Sequence, residues 1–191
     1  LCGATYRIKR ASSWEPGPSL RALERINPLK QIPTLQLPDG SVLTESAAIL
    51  IHLGTAHPAS KLLPRTLSKR AQEIRGLVYV AANCYAAIGV YDYPERWLPD
   101  ANEADKARVR AGARRRLHWY WEVFADQYAG DAFLVDDRLS ALNVLSAIVS
   151  RWCGARAHLL EARPTFHAAL TRIDAHPAVA PVLARHWSAK A

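Results

Sequence analysis

The chain has 191 residues and a net charge of +8, because 25 Lys and Arg residues outnumber 17 Asp and Glu. Half of the residues are hydrophobic and 22% are charged, a composition that excludes disorder and fibrous repeats and allows one large or two small domains. The three cysteines are widely spaced and form no C-x-x-C pair, which argues against a disulfide framework or a zinc site and favours a reducing compartment.

The N-terminal part of the chain shows the short alternating and helical patterns of a small α/β domain. In chain order these patterns predict a strand at 5–9, a helix at 19–26, a hairpin made of 32–37 and 42–43, and a helix at 46–53. Asn27 and Pro28 are expected to end the first helix, and Gly54 to end the second.

From about residue 65 onward the alternating patterns of strands are absent, and apolar residues recur at the spacing of long helices. They predict helices at 68–90, 102–128, 140–152, 164–175 and 177–187. Ser140 and Asn143 have the spacing of an N-terminal capping box. The longest run without a charge, 76–91, is shorter than the roughly 17–25 residues that cross a bilayer, so no membrane span is predicted.

A proline-rich joint separates these two parts. We therefore predict an α/β domain over 1–57, a linker over 58–64 and an all-helical domain over 65–191.

Common catalytic sequence motifs are absent, and the seven histidines show no metal-binding spacing, so no metal is predicted.

The densest basic patch is Arg114-Arg115-Arg116. It lacks the aromatic residues of a nucleic-acid motif, and a solvated helix face is the favoured interpretation over nucleic-acid binding.

The most informative stretch is 27–53, NPLKQIPTLQLPDGSVLTESAAILIHL. A cis bond between Ile32 and Pro33 would expose the backbone of Ile32 for pairing with an extended ligand. The helix that opens at Glu45 and Ser46 offers free amides to a carboxylate. Lys30 or Gln31 would reach a second carboxylate. The pattern suits a short peptide with two carboxylates, and an ordinary turn, cap and hairpin is the alternative.

The segments NPLKQIPTL and DGSVLTESAAIL together resemble the thioredoxin-like half of the cytosolic glutathione transferase superfamily. The segment FLVDDRLSALNVLSAIVSRW is similar to the capping segment and buried helix of its second domain. The resemblance implies a thioredoxin-like α/β domain, incomplete at its start, followed by an all-helical domain. It also implies a cytoplasmic homodimer that joins glutathione to small hydrophobic electrophiles, without metal, nucleic acid or membrane.

The resemblance also implies roles for particular residues. Ile32 would pair its backbone with glutathione, Pro33 would be the cis-proline, and Gln31 would lie near the glycine end of the tripeptide. Glu45 and Ser46 would hold its γ-glutamyl end. A hydrophobic-substrate pocket between the domains would be lined by one face of the first long helix, with helix packing as the alternative for these residues: Tyr79, Asn83 and Tyr91.

This chain departs from the family pattern in two places. Asn143 stands where the family usually has Asp, which keeps the cap but removes a charge worth about 0.3–1 kcal/mol at the helix N-terminus. The family's first strand, thiol-activating loop and first helix would precede Tyr6. The catalytic residue is therefore unknown and expected before Leu1. Cys2 is not a candidate, because it falls at the end of that first helix.

Two other functions stay open at this stage. The pair Lys30 and Gln31 is similar to the zeta branch of the family, which favours a glutathione-dependent isomerase. The absent activation loop favours a non-catalytic binding or assembly module. The same absence predicts that the biological protein is longer, or that the residues before Thr5 are poorly ordered.

Overall fold

The computed structural model describes residues 1–11, 13, 15–128 and 138–187. The chain divides into two units, Leu1–Leu63 and Pro64–Ala191. The division falls inside the proline-rich segment 58–64.

The first unit is built around a short hairpin flanked by two helices. Its elements are α1 (Pro18–Ile26), β1 (Leu35–Gln36), β2 (Val42–Leu43) and α2 (Ser46–Ala56), followed by a 3₁₀ turn (Pro58–Ser60). The strands are antiparallel and pair Leu35 with Leu43. Asp39 closes the turn between them, because its Oδ1 accepts hydrogen bonds from the Ser41 amide at 2.9 Å and hydroxyl at 2.6 Å. The predicted hairpin is confirmed.

Two sequence-based predictions in this unit are wrong. Residues 5–9 form no strand, and Tyr6 is 78% exposed, because the alternating pattern finds no partner ladder among the described residues. Gly54 lies inside α2 instead of ending it. A Cβ at this position would come within 2.6 Å of Leu63 Cγ, so close packing explains the glycine.

The second unit is helical throughout its described elements. These are α3 (Leu67–Tyr79), a π-helical segment (Val80–Tyr85), α4 (Ala86–Asp92), a 3₁₀ turn (Pro94–Arg96), α5 (Glu103–Tyr128), α6 (Ala141–Val149), α7 (Ala155–Ala162), α8 (Pro164–Ala175) and α9 (Ala180–His186). The helix predicted at 140–152 extends beyond the end of α6, and the sequence pattern did not predict α7. The backbone turns between them at Cys153 and Gly154, where φ is 54° and 74°.

Aromatic side chains of α5 form the centre of the helical unit. Leu117, Trp121 and Phe124 are fully buried, as the predicted apolar stripe requires. Phe166 of α8 packs against this cluster, with ring centroids 6.4 Å from Trp121 and 5.6 Å from Phe124. Burial of these large side chains is the main source of stability in the unit.

The continuous helical stretch Leu67–Asp92 is, among the described residues, the one helix long and apolar enough to cross a membrane, with a mean hydropathy of 1.2. Leu77, Val80 and Cys84 on this stretch are fully buried in the structure. These three residues share one face of the stretch, and that face packs within the helical unit.

The N-terminus of α6 carries the predicted capping box. The Ser140 hydroxyl accepts from the Asn143 amide at 3.2 Å, and Asn143 Oδ1 accepts from the Ser140 amide at 2.8 Å. Residues 133–137 of the resembling segment lie outside the described residues.

Glu73 of α3 contributes a charge to the same helix end. Its Oε1 accepts from the Leu142 amide at 2.8 Å, so a carboxylate from another helix stands at the N-terminus where Asn143 supplies none. Burial raises the pKa of Glu73 above its ordinary value of 4.5, against the lowering effect of hydrogen bonds from Ser140 and Leu142.

Replacing Glu73 with Ala is expected to lower the free energy of unfolding by about 1–2 kcal/mol, because the Leu142 amide loses its acceptor. Glu73→Gln keeps that acceptor and is expected to cost less. Since the folded state holds the proton more tightly, the stability of the wild type relative to Glu73→Gln should fall as the pH rises from about 4.5 through the raised pKa. Urea unfolding of the three proteins at several pH values measures both effects. A relative stability that rises with pH would contradict the burial of this carboxyl.

Candidate functional site

The segment before β1 presents its backbone to solvent. The peptide bond between Ile32 and Pro33 is cis, and Ile32 is 45% exposed. Gln31 and Pro33 are exposed as well. Among the described residues, the amide and carbonyl of Ile32 have no hydrogen-bond partner.

Asn27 holds this segment in place, a role beyond the helix end that the sequence predicted for it. Its side chain is buried, with 3% of the residue exposed, and its Nδ2 donates to the Gln31 carbonyl at 2.9 Å and to Thr34 Oγ1 at 3.0 Å. Asn27 Oδ1 accepts from the Leu29 amide at 3.1 Å. The available sequence signal was an Asn directly before Pro at a helix end, a position where Asn side chains commonly bond to nearby backbone.

Glu45 at the start of α2 has an unusual backbone. Its φ of 65° and ψ of 116° lie outside the regions that non-glycine residues favour. Such a conformation costs about 1–3 kcal/mol and is found preferentially at functional sites. The side chain is exposed and makes no capping hydrogen bond, so its carboxylate is available to a ligand.

The first turn of α2 supplies hydrogen-bond donors beside this carboxylate. The first bond of the helix runs from the Ile49 amide to the Glu45 carbonyl at 2.9 Å, so the amides of residues 46–48 have no acceptor within the helix. Ser46 is half-buried and adds a hydroxyl. The positive end of the helix dipole favours an anion here.

The two segments lie at the same end of the hairpin. Residues 32–34 precede Leu35, and residues 44–46 follow its antiparallel partner Leu43. The pairing register therefore brings Ile32 to the side of the hairpin where Glu45 and Ser46 lie. Free amides, one carboxylate and an exposed backbone segment converge at this end.

The predicted pocket residues of the helical unit are half-buried. The Tyr79 hydroxyl donates to the Tyr120 carbonyl at 2.9 Å, and its ring packs against Phe124 and Tyr128. Burial raises the pKa of Tyr79 to about 12. The side-chain Nδ2 of Asn83 donates to the Tyr79 carbonyl at 3.1 Å, and Tyr91 lies in α4. These contacts fit the alternative interpretation of Tyr79, in which it packs within the helical unit instead of lining a substrate pocket.

The basic patch of α5 is exposed, as a solvated helix face requires. The guanidinium of Arg116 lies 4.3 Å from the ring centre of Trp119 and 4.8 Å from that of Tyr120. This cation thus covers aromatic rings of its own helix.

Comparison with known proteins places these features in a family. The model of the glutathione S-transferase N-terminal domain matches residues 1–56. The uncharacterized GST-like protein YncG of Escherichia coli K12 is 34% identical over 131 residues, which cover 68% of this chain and 63% of YncG, less than two thirds of its length. Glutathione S-transferase GstA of Escherichia coli O157:H7 is 28% identical over 159 residues, covering 83% of this chain and 75% of that protein.

A solved structure shows the same fold. The glutathione transferase homolog from Sulfitobacter with bound glutathione aligns with a TM-score of 0.74 at 19% identity, covering 85% of this chain and 77% of that one. Residues 1–56 thus match the glutathione S-transferase N-terminal domain, and the chain is similar over most of its length to glutathione S-transferases and GST-like proteins. This confirms the predicted fold class, a thioredoxin-like α/β domain followed by an all-helical domain.

Proposed function

We propose that the chain binds glutathione at the hairpin end described above and acts as a glutathione transferase. The observation that carries the proposal is the convergence of Ile32, Glu45 and Ser46 at one end of the hairpin. The family relationship supports it, because GstA is named a glutathione S-transferase. In this proposal 1–57 forms the glutathione-binding domain, 58–64 the linker and 65–191 the helical domain.

The chemistry of the tripeptide fits the groups at this end. The γ-glutamyl end of glutathione carries both an ammonium and a carboxylate. The Glu45 carboxylate accepts from the ammonium, while the Ser46 hydroxyl and the free amides of α2 donate to the carboxylate. The backbone of Ile32 pairs with the cysteine residue, beside Pro33, and Gln31 donates to the glycine carboxylate.

The proposed reaction is nucleophilic. The glutathione thiol gives its proton to water, and the thiolate forms a bond to the electrophilic carbon of a small hydrophobic substrate. The bond from that carbon to its leaving group breaks, and the leaving group departs with the electron pair. Tyr79, Asn83 and Tyr91 stay proposals for the substrate pocket. The same proposal includes a homodimer in the cytoplasm. Light scattering gives the mass in solution and so distinguishes a dimer from a monomer.

Retention on immobilised glutathione tests the binding step. We expect the wild-type chain to be retained and eluted by free glutathione, and Ser46→Ala to elute earlier, because it loses one donor to the ligand carboxylate. The control is Ser60→Ala, whose hydroxyl donates to the His57 carbonyl outside the site. Equal retention of all three proteins would reject the assignment of Ser46.

Conjugation of glutathione to 1-chloro-2,4-dinitrobenzene tests the transferase step. We expect the absorbance of the conjugate to increase faster than it does in the uncatalysed reaction. Binding without conjugation would favour the non-catalytic module. Glutathione-dependent isomerisation without conjugation would favour the zeta-type isomerase, to which the pair Lys30 and Gln31 points.

A further inference from the structure

Asn27 is the one buried polar residue among the described residues of the first unit. Burying a polar side chain is costly unless its donors and acceptors are satisfied. Here both Nδ2 protons are used, on Gln31 and Thr34, and Oδ1 accepts from Leu29. The backbone carbonyl of Asn27 also accepts from the Lys30 amide at 2.9 Å. Asn27 thus fixes a segment that forms no regular helix or strand.

The carbonyl of Gln31 is the point at which these bonds meet. It accepts from Asn27 Nδ2 at 2.9 Å and from the Thr34 hydroxyl at 2.8 Å. Two donors on one carbonyl oxygen fix the direction of the C=O bond and therefore the plane of the peptide unit between Gln31 and Ile32.

The orientation of that plane decides where the Ile32 amide points. The peptide bond between Gln31 and Ile32 is trans, and a trans peptide directs its N–H opposite to its C=O. Since the Gln31 carbonyl points at Asn27, the Ile32 amide points away from it. This amide is the unpartnered donor that the proposed site offers to the tripeptide backbone.

We infer that Asn27 is a positioning residue of the glutathione site, which acts with Thr34 through the Gln31 carbonyl to aim the Ile32 amide at the ligand. The inference rests on the proposed function. It adds a residue that does not touch glutathione but sets the affinity for it.

Calorimetric titration of the chain with glutathione tests this role. We expect Asn27→Ala and Thr34→Val each to raise the Kd about tenfold, equivalent to one hydrogen bond. Thr34→Ser keeps the hydroxyl and is expected to stay within about twofold of the wild type. If Asn27→Ala does not fold, the pair Thr34→Val and Thr34→Ser carries the test.

The matched control is Asn143→Ala, because Asn143 is also a buried asparagine, 1% exposed, but caps α6 in the other unit. We expect it to lower the unfolding temperature and leave the Kd within about twofold. All titrations are made at a temperature where circular dichroism shows the variant folded, so that a change in stability alone does not move the Kd.

Three results would overturn the inference. The first is an Asn27→Ala or Thr34→Val protein that is folded and binds with the wild-type Kd. The second is an Asn143→Ala protein whose Kd rises as much as that of Asn27→Ala. The third is a wild-type chain that does not bind glutathione at all. Only the third also rejects the proposed function, so the two failures are distinguishable.

Discussion

Glu45→Gly is expected to weaken glutathione binding by about thirtyfold or more and, at the same time, to stabilise the fold. The loss of affinity follows because the γ-glutamyl ammonium loses a charged acceptor, an interaction of the class worth about 1.5–3 kcal/mol. The gain in stability follows because glycine adopts a φ of 65° without the steric cost that Glu45 bears. We expect the free energy of unfolding to rise by about 1 kcal/mol.

Glu45→Ala separates the two effects. It removes the carboxylate but keeps a Cβ, so it should lose the same affinity without the gain in stability. Titration with glutathione gives the Kd of each variant, and urea unfolding gives the free energy of unfolding of each. Wild-type affinity in Glu45→Ala would show that the carboxylate does not hold the ligand. A less stable Glu45→Gly protein would show that the backbone at this position is not strained.

Asp174→Ala is expected to lower the free energy of unfolding of the helical unit by about 3–5 kcal/mol. Asp174 of α8 accepts two bonds from Arg156 at 3.0 and 3.1 Å, and Arg151 lies 2.7 Å from the same carboxylate. Arg156 also donates to Ser150 Oγ at 2.7 Å and to the Ala147 carbonyl at 2.9 Å. Removing the carboxylate leaves two guanidinium groups without their counter-charge in a mostly buried site.

The matched control is Asp126→Ala. Asp126 accepts a similar two-bond interaction from Arg163, at 2.7 and 2.9 Å, but its side chain is 54% exposed against 19% for Asp174. Solvent screens this pair, so its loss should matter much less. Urea unfolding at neutral pH compares the two variants. Equal losses would mean that burial does not strengthen the Asp174 network.

Local patterns predicted the elements that local interactions stabilise. The periodic burial of Leu117, Trp121 and Phe124 follows from the helical repeat of α5, and the hairpin follows from the Pro38-Asp39-Gly40-Ser41 turn between two short apolar runs. The capping box of α6 was likewise visible as two residues three positions apart. The proposed glutathione site was inferred from the resemblance of segment 27–53, and it stays a prediction.

Features that depend on distant partners were missed or wrong. Residues 5–9 alternate as a strand does, but a strand forms only where a neighbouring strand pairs with it. The contact between Glu73 and the Leu142 amide joins positions 69 residues apart and leaves no local pattern. The proposed role of Asn27 depends on the burial of its side chain, which the sequence does not reveal.

The position of the proposed glutathione site is tested most directly by two-dimensional NMR of the ¹⁵N-labelled chain during titration with glutathione. We expect a saturable shift of the Ile32 and Ser46 amides, with the resonances of the α5 core, such as Trp121, unchanged. Shifts confined to the helical unit, or no shift at about 10 mM glutathione, would contradict a binding site at the end of the hairpin.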